Sequence, residues 1–194
     1  MSATDQATLF NDGVGVDLAS KILHGQRFPA NLNGTDLTPR ILAGLPPGTR
    51  IFLLGSAPNV AVIAQQTLSA LHPKLRFVGA EDGFFSRAAE PELARKIVGS
   101  EAQLVLIGMG QPRQELWAVR NRDAIGAVLL CVGAFLDFTA GEVRRAPLWI
   151  RRFRLEWMFR LAHEPRRLMR RYLIGNAAFV LRILHQRLSS KKPY

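Results

Sequence analysis

The residues best equipped for chemistry in this sequence form one cluster, Gly108-Met109-Gly110-Gln111-Pro112-Arg113-Gln114-Glu115, set between a short apolar run and a helical pattern. Glycines there let the backbone approach a ligand, and the N–H groups at a helix start, with the positive end of its dipole, attract an anion. Arg113 adds a guanidinium that grips phosphate oxygens through two parallel hydrogen bonds. The combination suits a diphosphate; the plainer alternative is an ordinary strand-to-helix turn. Arg113 stands where G-x-G-x-x-G needs its third glycine, and no Gly-Lys-Ser/Thr follows, so neither a dinucleotide fingerprint nor a P-loop is present.

Two further stretches carry a carboxylate among small residues. In Asn11-Asp12-Gly13-Val14-Gly15, Asp12 is a candidate general base for a substrate hydroxyl, while Asp12 or Asn11 equally suits the N-cap of the helix that follows. In Gly133-Ala134-Phe135-Leu136-Asp137-Phe138-Thr139-Ala140-Gly141, Asp137 sits where a sheet would open, placed to bond a ribose or sugar hydroxyl or else to cap a turn. What is missing narrows the chemistry. No Asp-x-Asp provides the usual carboxylates for a nucleotide-sugar metal, and His163-Glu164 runs into Pro165 rather than forming His-Glu-x-x-His. The single cysteine, Cys131, excludes a disulfide framework and multi-cysteine metal sites, and within an apolar run it reads as inert core. A G-x-S-x-G nucleophile elbow is absent, and the four histidines are dispersed.

These groups need a scaffold, and the apolar runs supply one. Ile51–Gly55, Leu75–Gly79, Leu104–Gly108 and Val128–Gly133 read as buried parallel strands ending in glycine, with helical patterns at Asn59–Leu71, Pro91–Val98 and Pro112–Arg122 between them. The alternation predicts an α/β fold with an open, mostly parallel, Rossmann-like sheet and flanking helices, its sites at the strand ends. Val14–Leu23 and Asp36–Ala43 read as two preceding helices joined by the loop His24–Thr35.

Charge divides the chain unevenly. Residues 1–143 hold 12 Lys+Arg and 13 Asp+Glu, whereas residues 144–194 hold 14 basic residues against Glu156 and Glu164 alone. The expected organisation is an α/β domain over 1–146 and a basic helical C-terminal appendage over 147–194. After Pro147 come a helical pattern over Trp149–Leu161 and another from Pro165 to about Arg187. Across the tail Leu161, Leu168, Tyr172, Phe179 and Ile183 share one face and Arg167, Arg171 and Arg182 another, which makes it amphipathic and basic. Such a helix suits an anionic membrane surface, or else docks to complete the core. The tail's Trp149, Trp157 and Tyr172 sit where helices pack, not where bases would stack, so no nucleic-acid partner is expected. No apolar run approaches the roughly 18 residues of a membrane-spanning helix, and the opening MSATDQATLF lacks the features of a signal peptide, so a cytoplasmic location is expected.

In order along the chain stand Asp12-Gly13-x-Gly15, Asn33-Gly34-Thr35-Asp36-Leu37, Phe52-Leu53-Leu54-Gly55, Gly79-Ala80-Glu81-Asp82-Gly83-Phe84-Phe85, the Gly108–Glu115 cluster, Gly133–Asp137, Arg145-Ala146-Pro147, Leu155-Glu156-Trp157 and 171–176 (Arg-Tyr-Leu-Ile-Gly-Asn). Together they resemble the WecG/TagA/CpsF family of bacterial glycosyltransferases over nearly the whole chain. The resemblance implies an inverting transfer of a hexose from a UDP-sugar to a polyprenyl-diphosphate-linked saccharide in cell-surface polysaccharide synthesis, peripheral on the inner face of the plasma membrane and with no metal cofactor. It implies Asp12 as the general base and Gln114 near the nucleotide; beside them, Asn33, Asp36, Gly55, Gly108, Gly110, Arg113, Glu115 and Asp137 are the expected substrate-binding residues. Arg167 and Arg171 of the basic appendage, which closes the site and touches the membrane in that family, are implied as further substrate contacts.

Two departures stand out. Family members usually carry a further segment ahead of the Asp-Gly motif, with a Thr-Pro-Asn-type strand end that contributes to the site. Asp12 lies near the start here, so that strand and its threonine are expected to be absent; the alternative reading is a shortened, non-catalytic UDP- or membrane-binding relative. Several members also have an arginine shortly before Gly-Ser/Thr-Asp-Leu, where this chain reads Ala30-Asn31-Leu32.

Overall fold

A computed structural model describes residues 7–143, 146, 147, 150, 156–163 and 175–189. The chain divides into two compact units, one of Met1–Thr8 and Asn33–Arg144, the other of Leu9–Leu32 and Arg145–Tyr194.

The first unit is built on four parallel strands, β1 (Arg50–Gly55), β2 (Arg76–Glu81), β3 (Leu104–Gly108) and β4 (Val128–Cys131), in the order β2-β1-β3-β4. The expected α/β parallel sheet is the one observed. The central strands are apolar at every core position because both of their faces are covered. Ile51 and Leu53 of β1 and Leu104 and Leu106 of β3 pack with Leu42, Ala64, Leu68, Phe135 and Leu136. Their neighbours Phe52, Leu54, Val105 and Ile107 point the other way, to Leu93, Ala94, Ile97, Trp117 and Ile125. The first layer comes from α2 (Gly34–Gly44), α3 (Val60–Leu71) and α6 (Phe135–Ala140), the second from α4 (Glu90–Gly99) and α5 (Arg113–Ile125). Each buried Leu, Ile, Val or Phe among them contributes about 1.5–3 kcal/mol. A clamp joins α4 to α5: Glu90 accepts from Arg120 at 2.7 and 3.2 Å and from Asn121 at 3.1 Å. The Arg120 hydrogen bonds hold the Glu90 carboxyl below its usual value against the opposing effect of burial.

Boundaries differ from expectation where side chains, not apolar runs, decide them. β2 runs on to Glu81 and β4 stops at Cys131, and 135–140 forms a short helix that no capping side chain announces. α2 begins at Gly34 because Asn33 caps it.

In the second unit, α1 (Val14–His24) packs against the C-terminal helix α8 (Asn176–Ser189), α7 (Glu156–His163) lying between them in sequence. A Cβ built on Gly15 would stand 3.4 Å from Phe179 Cε1, so the two helices touch there. Ile183 is buried, whereas Phe179, expected on the same face, is 37% exposed. Leu168, Tyr172, Arg167 and Arg171 lie outside the described residues. Asp17, buried on α1, accepts from Arg27 Nη1 at 3.0 Å and from the Phe28 N–H at 3.1 Å, holding the loop after α1 to the helix. Among the described residues no helix is long and apolar enough to cross a membrane.

At the strand ends the two central backbones nearly meet. A Cβ on Gly55 would lie 2.3 Å from the Gly108 carbonyl oxygen, and Gly55 holds φ at 135°. Gly55→Ala is therefore expected to destabilise the protein by at least about 2 kcal/mol in urea unfolding, and a loss below about 0.5 kcal/mol would show that the strands part freely. On β4, burial pushes the Cys131 thiol up to about 12, with the Glu115 charge adding to the shift. A thiol protonated in the fold but ordinary when unfolded contributes stability that falls away as pH rises from about 9 towards 12. Iodoacetamide at about pH 8 is expected to leave Cys131 of the folded protein unmodified and to alkylate it fully in denaturant.

Candidate functional site

The chain runs from β1 out to β2 and then returns past β1 to β3. Connections thus leave β1 and β3 in opposite directions, which opens a crevice beyond their C-terminal ends, where ligands of open parallel sheets bind. Its floor is the Gly55–Gly108 approach; Ser56 N–H donates to the Gly108 carbonyl at 2.8 Å and Gly83 N–H to the Ser56 carbonyl at 2.9 Å. The loop after β1 carries two left-handed residues that are not glycine, Ser56 at φ 61° and Asn59 at φ 70°. Ser56 Oγ is buried without a hydrogen-bond partner. Sequence reading passed over Ser56, since nothing in Gly-Ser-Ala-Pro-Asn announces its backbone geometry.

The glycine-rich cluster lies along this crevice. Gly108 ends β3, Gly110 turns the chain at φ 76°, and α5 starts at Arg113 after a cis Gln111–Pro112 peptide. Arg113 is exposed; its Nη2 donates to the Phe85 carbonyl at 3.1 Å, and its guanidinium carbon lies 5.3 Å from the centre of the Phe85 ring. Gln114 is buried and ties two loops: its Oε1 accepts from the Gly133 N–H at 3.3 Å, and its Nε2 donates to Glu115 Oε1 at 2.7 Å. Glu115 Oε2 is buried with no hydrogen-bond partner.

The β4 end adds a second wall. A Cβ on Gly34 would stand 2.8 Å from the Val132 carbonyl oxygen, so the start of α2 lies directly on the end of β4. There Asn33 Oδ1 accepts from the Asp36 N–H at 2.9 Å, and Asn33 Nδ2 donates to Asp36 Oδ2 at 2.8 Å. The pair is a reciprocal helix cap, and its three-residue spacing is itself a sequence signal for one. Asp137 lies half-buried in the first turn of α6. The fold thus sets Asn33, Asp36, Gly55, Gly108, Gly110, Arg113, Gln114, Glu115 and Asp137 on the strand ends, loops and helix starts at the C-terminal side of the sheet.

Asp12 belongs to the other unit. The capping expectation for Asn11 and Asp12 fails: the N-cap of α1 is Gly13, at φ 90° and ψ 159°, with no side-chain cap bond. The reason is that the neighbouring groups are engaged elsewhere. Asn11 Nδ2 donates to the Ala30 carbonyl at 2.7 Å, Leu32 N–H to the Asn11 carbonyl at 3.0 Å, and Gly13 N–H to Asn31 Oδ1 at 3.0 Å. Asp12 is exposed between two residues whose backbones are fastened to the 30–32 loop. Arg167 and Arg171 lie outside the described residues. Among the described residues no three His, Cys, Asp or Glu side chains cluster as a metal site.

Comparison with known proteins accounts for this arrangement. Residues 2–193 match the model of the glycosyl transferase WecG/TagA/CpsF family. Among curated proteins, the chain is 31% identical over 186 residues to an N-acetylglucosaminyldiphosphoundecaprenol N-acetyl-beta-D-mannosaminyltransferase of Bacillus spizizenii, an alignment that covers 94% of this chain and 70% of that protein. With the motifs in order and the parallel sheet that carries them, the chain belongs to the WecG/TagA/CpsF family of glycosyl transferases.

Proposed function

We propose that the protein is an inverting, metal-independent transferase that moves a hexose from a UDP-sugar to a polyprenyl-diphosphate-linked saccharide in cell-surface polysaccharide synthesis. The observation that carries this reading is the crevice beyond β1 and β3, with the glycine-rich loop, the start of α5 and the exposed Arg113 together at its edge. Backbone N–H groups, a helix dipole and a guanidinium are the donors a departing diphosphate requires. The acceptor follows from the mannosaminyltransferase relative, whose name specifies a diphosphoundecaprenol-linked sugar.

In this mechanism Asp12 removes the proton from the acceptor hydroxyl. The new C1–O bond forms as the bond from C1 to the UDP oxygen breaks on the opposite face, and UDP leaves with the electron pair. Gln114 acts by holding the loops after β3 and β4 together through Gly133, and Arg113 meets the diphosphate. Arg167 and Arg171 supply further cations to the same leaving group.

We place the protein against the anionic inner face of the plasma membrane. α8 supports this: Val180, Leu181, Leu184 and Leu188 form an exposed apolar stripe beside the buried Ile183. A pocket of about 460 Å³ between α1 and α8 is lined by Lys21, His24, Gln186 and Arg187, with no carboxylate among its lining residues.

Two measurements test the reading. With a polyprenyl-diphosphate–GlcNAc analogue, a panel of UDP-hexoses and EDTA present, acceptor-dependent UDP release is expected, and Asp12→Asn should reduce it by about 10²–10⁴-fold while UDP still binds. UDP binding with no turnover on any donor would instead identify a non-catalytic relative. The protein should also sediment with phosphatidylglycerol vesicles at low salt and be released at about 1 M salt, since each basic residue near such a surface contributes about 1 kcal/mol that ions screen. Equal sedimentation with neutral phosphatidylcholine vesicles would refute the electrostatic attachment.

A further inference from the structure

Both peptide groups that flank Asp12 are fastened to a loop further along the chain. The one on its N-terminal side is fixed by Leu32, whose N–H donates to the Asn11 carbonyl at 3.0 Å. The one on its C-terminal side is fixed by Asn31, whose side-chain Oδ1 accepts from the Gly13 N–H at 3.0 Å. Asn11 Nδ2 adds a third link to the same stretch, donating to the Ala30 carbonyl at 2.7 Å. A peptide group is planar, so fixing the planes on both sides of a residue fixes its φ and ψ. The direction of the Asp12 Cα–Cβ bond is therefore set by the three successive residues 30–32.

That stretch is itself anchored. Asp17, buried on α1, accepts from Arg27 Nη1 at 3.0 Å and from the Phe28 N–H at 3.1 Å, while its own N–H donates to the Gly13 carbonyl at 3.4 Å. A closed circuit results: from Gly13 to Asp17, from Asp17 to Phe28, along the chain to Asn31, and back to Gly13, all within the second unit. The Asn31 amide is the link of that circuit that meets the Asp12–Gly13 peptide directly. We propose that Asn31 is a positioning residue for Asp12, holding the turn so that the carboxylate stays aimed at the acceptor hydroxyl. The inference rests on the reading of Asp12 as the general base and adds the group that orients it. A base acts only within hydrogen-bond reach of the proton it takes, and a displacement of about 1 Å can cost about 10²-fold in rate. Asn31 is exposed, so its loss should loosen the turn without unfolding the unit. It also belongs to the second unit, whereas the glycine-rich loop and Arg113 belong to the first, so the loss should act on turnover and not on donor affinity.

The test is steady-state UDP release by the full chain at saturating acceptor, with the UDP-hexose that the parent turns over. Asn31→Ala should lower kcat about tenfold and leave KM for the donor within about twofold. Asn31→Asp, whose carboxylate accepts the same bond from Gly13, should recover most of kcat. In an Asp12→Asn background, Asn31→Ala should leave the residual rate nearly unchanged, because a group that acts through Asp12 then has nothing to orient. Parent-like kcat in Asn31→Ala overturns the positioning role alone. So does an Asp variant as slow as Ala, and so does an equal tenfold loss in the Asp12→Asn background, which marks a general loosening of the unit. Turnover by Asp12→Asn equal to that of the parent overturns the base reading and the role of Asn31 with it, as does a parent chain that turns over no donor.

Discussion

Between β1 and β3 the backbone closes at Gly55 and Gly108 until no side chain fits, and much else in the first unit follows from that approach. It brings the Ser56 N–H onto the Gly108 carbonyl and sets the loop after β1 in a left-handed conformation. It draws Gly83 against both strand ends. Three loops from three strands therefore converge on a point that the strand order has already opened. A larger residue at either glycine would push the strands apart at the end where a ligand must be met by backbone.

The rest of the crevice edge is organised by short polar links, not by burial. Gln114 spans from α5 to Gly133, Asn33 and Asp36 close on each other at the start of α2, and Arg113 reaches across to Phe85. Each link fastens one loop to another, so the edge is rigid although it is made of loops. Such rigidity suits a reaction in which charge develops on a leaving diphosphate, because donors already in place need not reorganise as the bond breaks. Glu115 Oε2 and Ser56 Oγ are buried here without hydrogen-bond partners, a local cost to stability at this edge.

How much of this was legible in the sequence depended on whether packing or polar geometry made the decision. The central strands were plain, because β1 and β3 bury residues on both faces and so read as unbroken apolar runs. The helices α3, α4 and α5 followed from their apolar spacing to within a few residues. By contrast, α6 has only six residues and no capping side chain, and Gly133 and Gly141 around it read as loop. Gly13 replaced Asp12 at the start of α1 because contacts with a loop some eighteen residues further along took up the neighbouring groups. Long-range hydrogen bonds of that kind leave no local pattern. Asn33 and Asp36 were visible as a pair, yet their spacing alone does not separate a helix cap from a ligand contact. Phe84 and Phe85 are identical as letters; only the fold shows that one ring is packed and the other stands in water.

The second unit is assembled from segments on either side of the first: α1 precedes the sheet in the chain, and α8, on which it packs, follows it. During synthesis, then, the segment bearing Asp12 emerges before the sheet and waits for its partner until the sheet has been made. The sheet and its crevice can fold around their own core in the meantime, but the proposed base has no packed helix behind it until the basic tail has left the ribosome. A nascent chain not yet extended through α8 would thus hold the sheet and its crevice without the helix on which α1 packs, so the two units come to completion at different times.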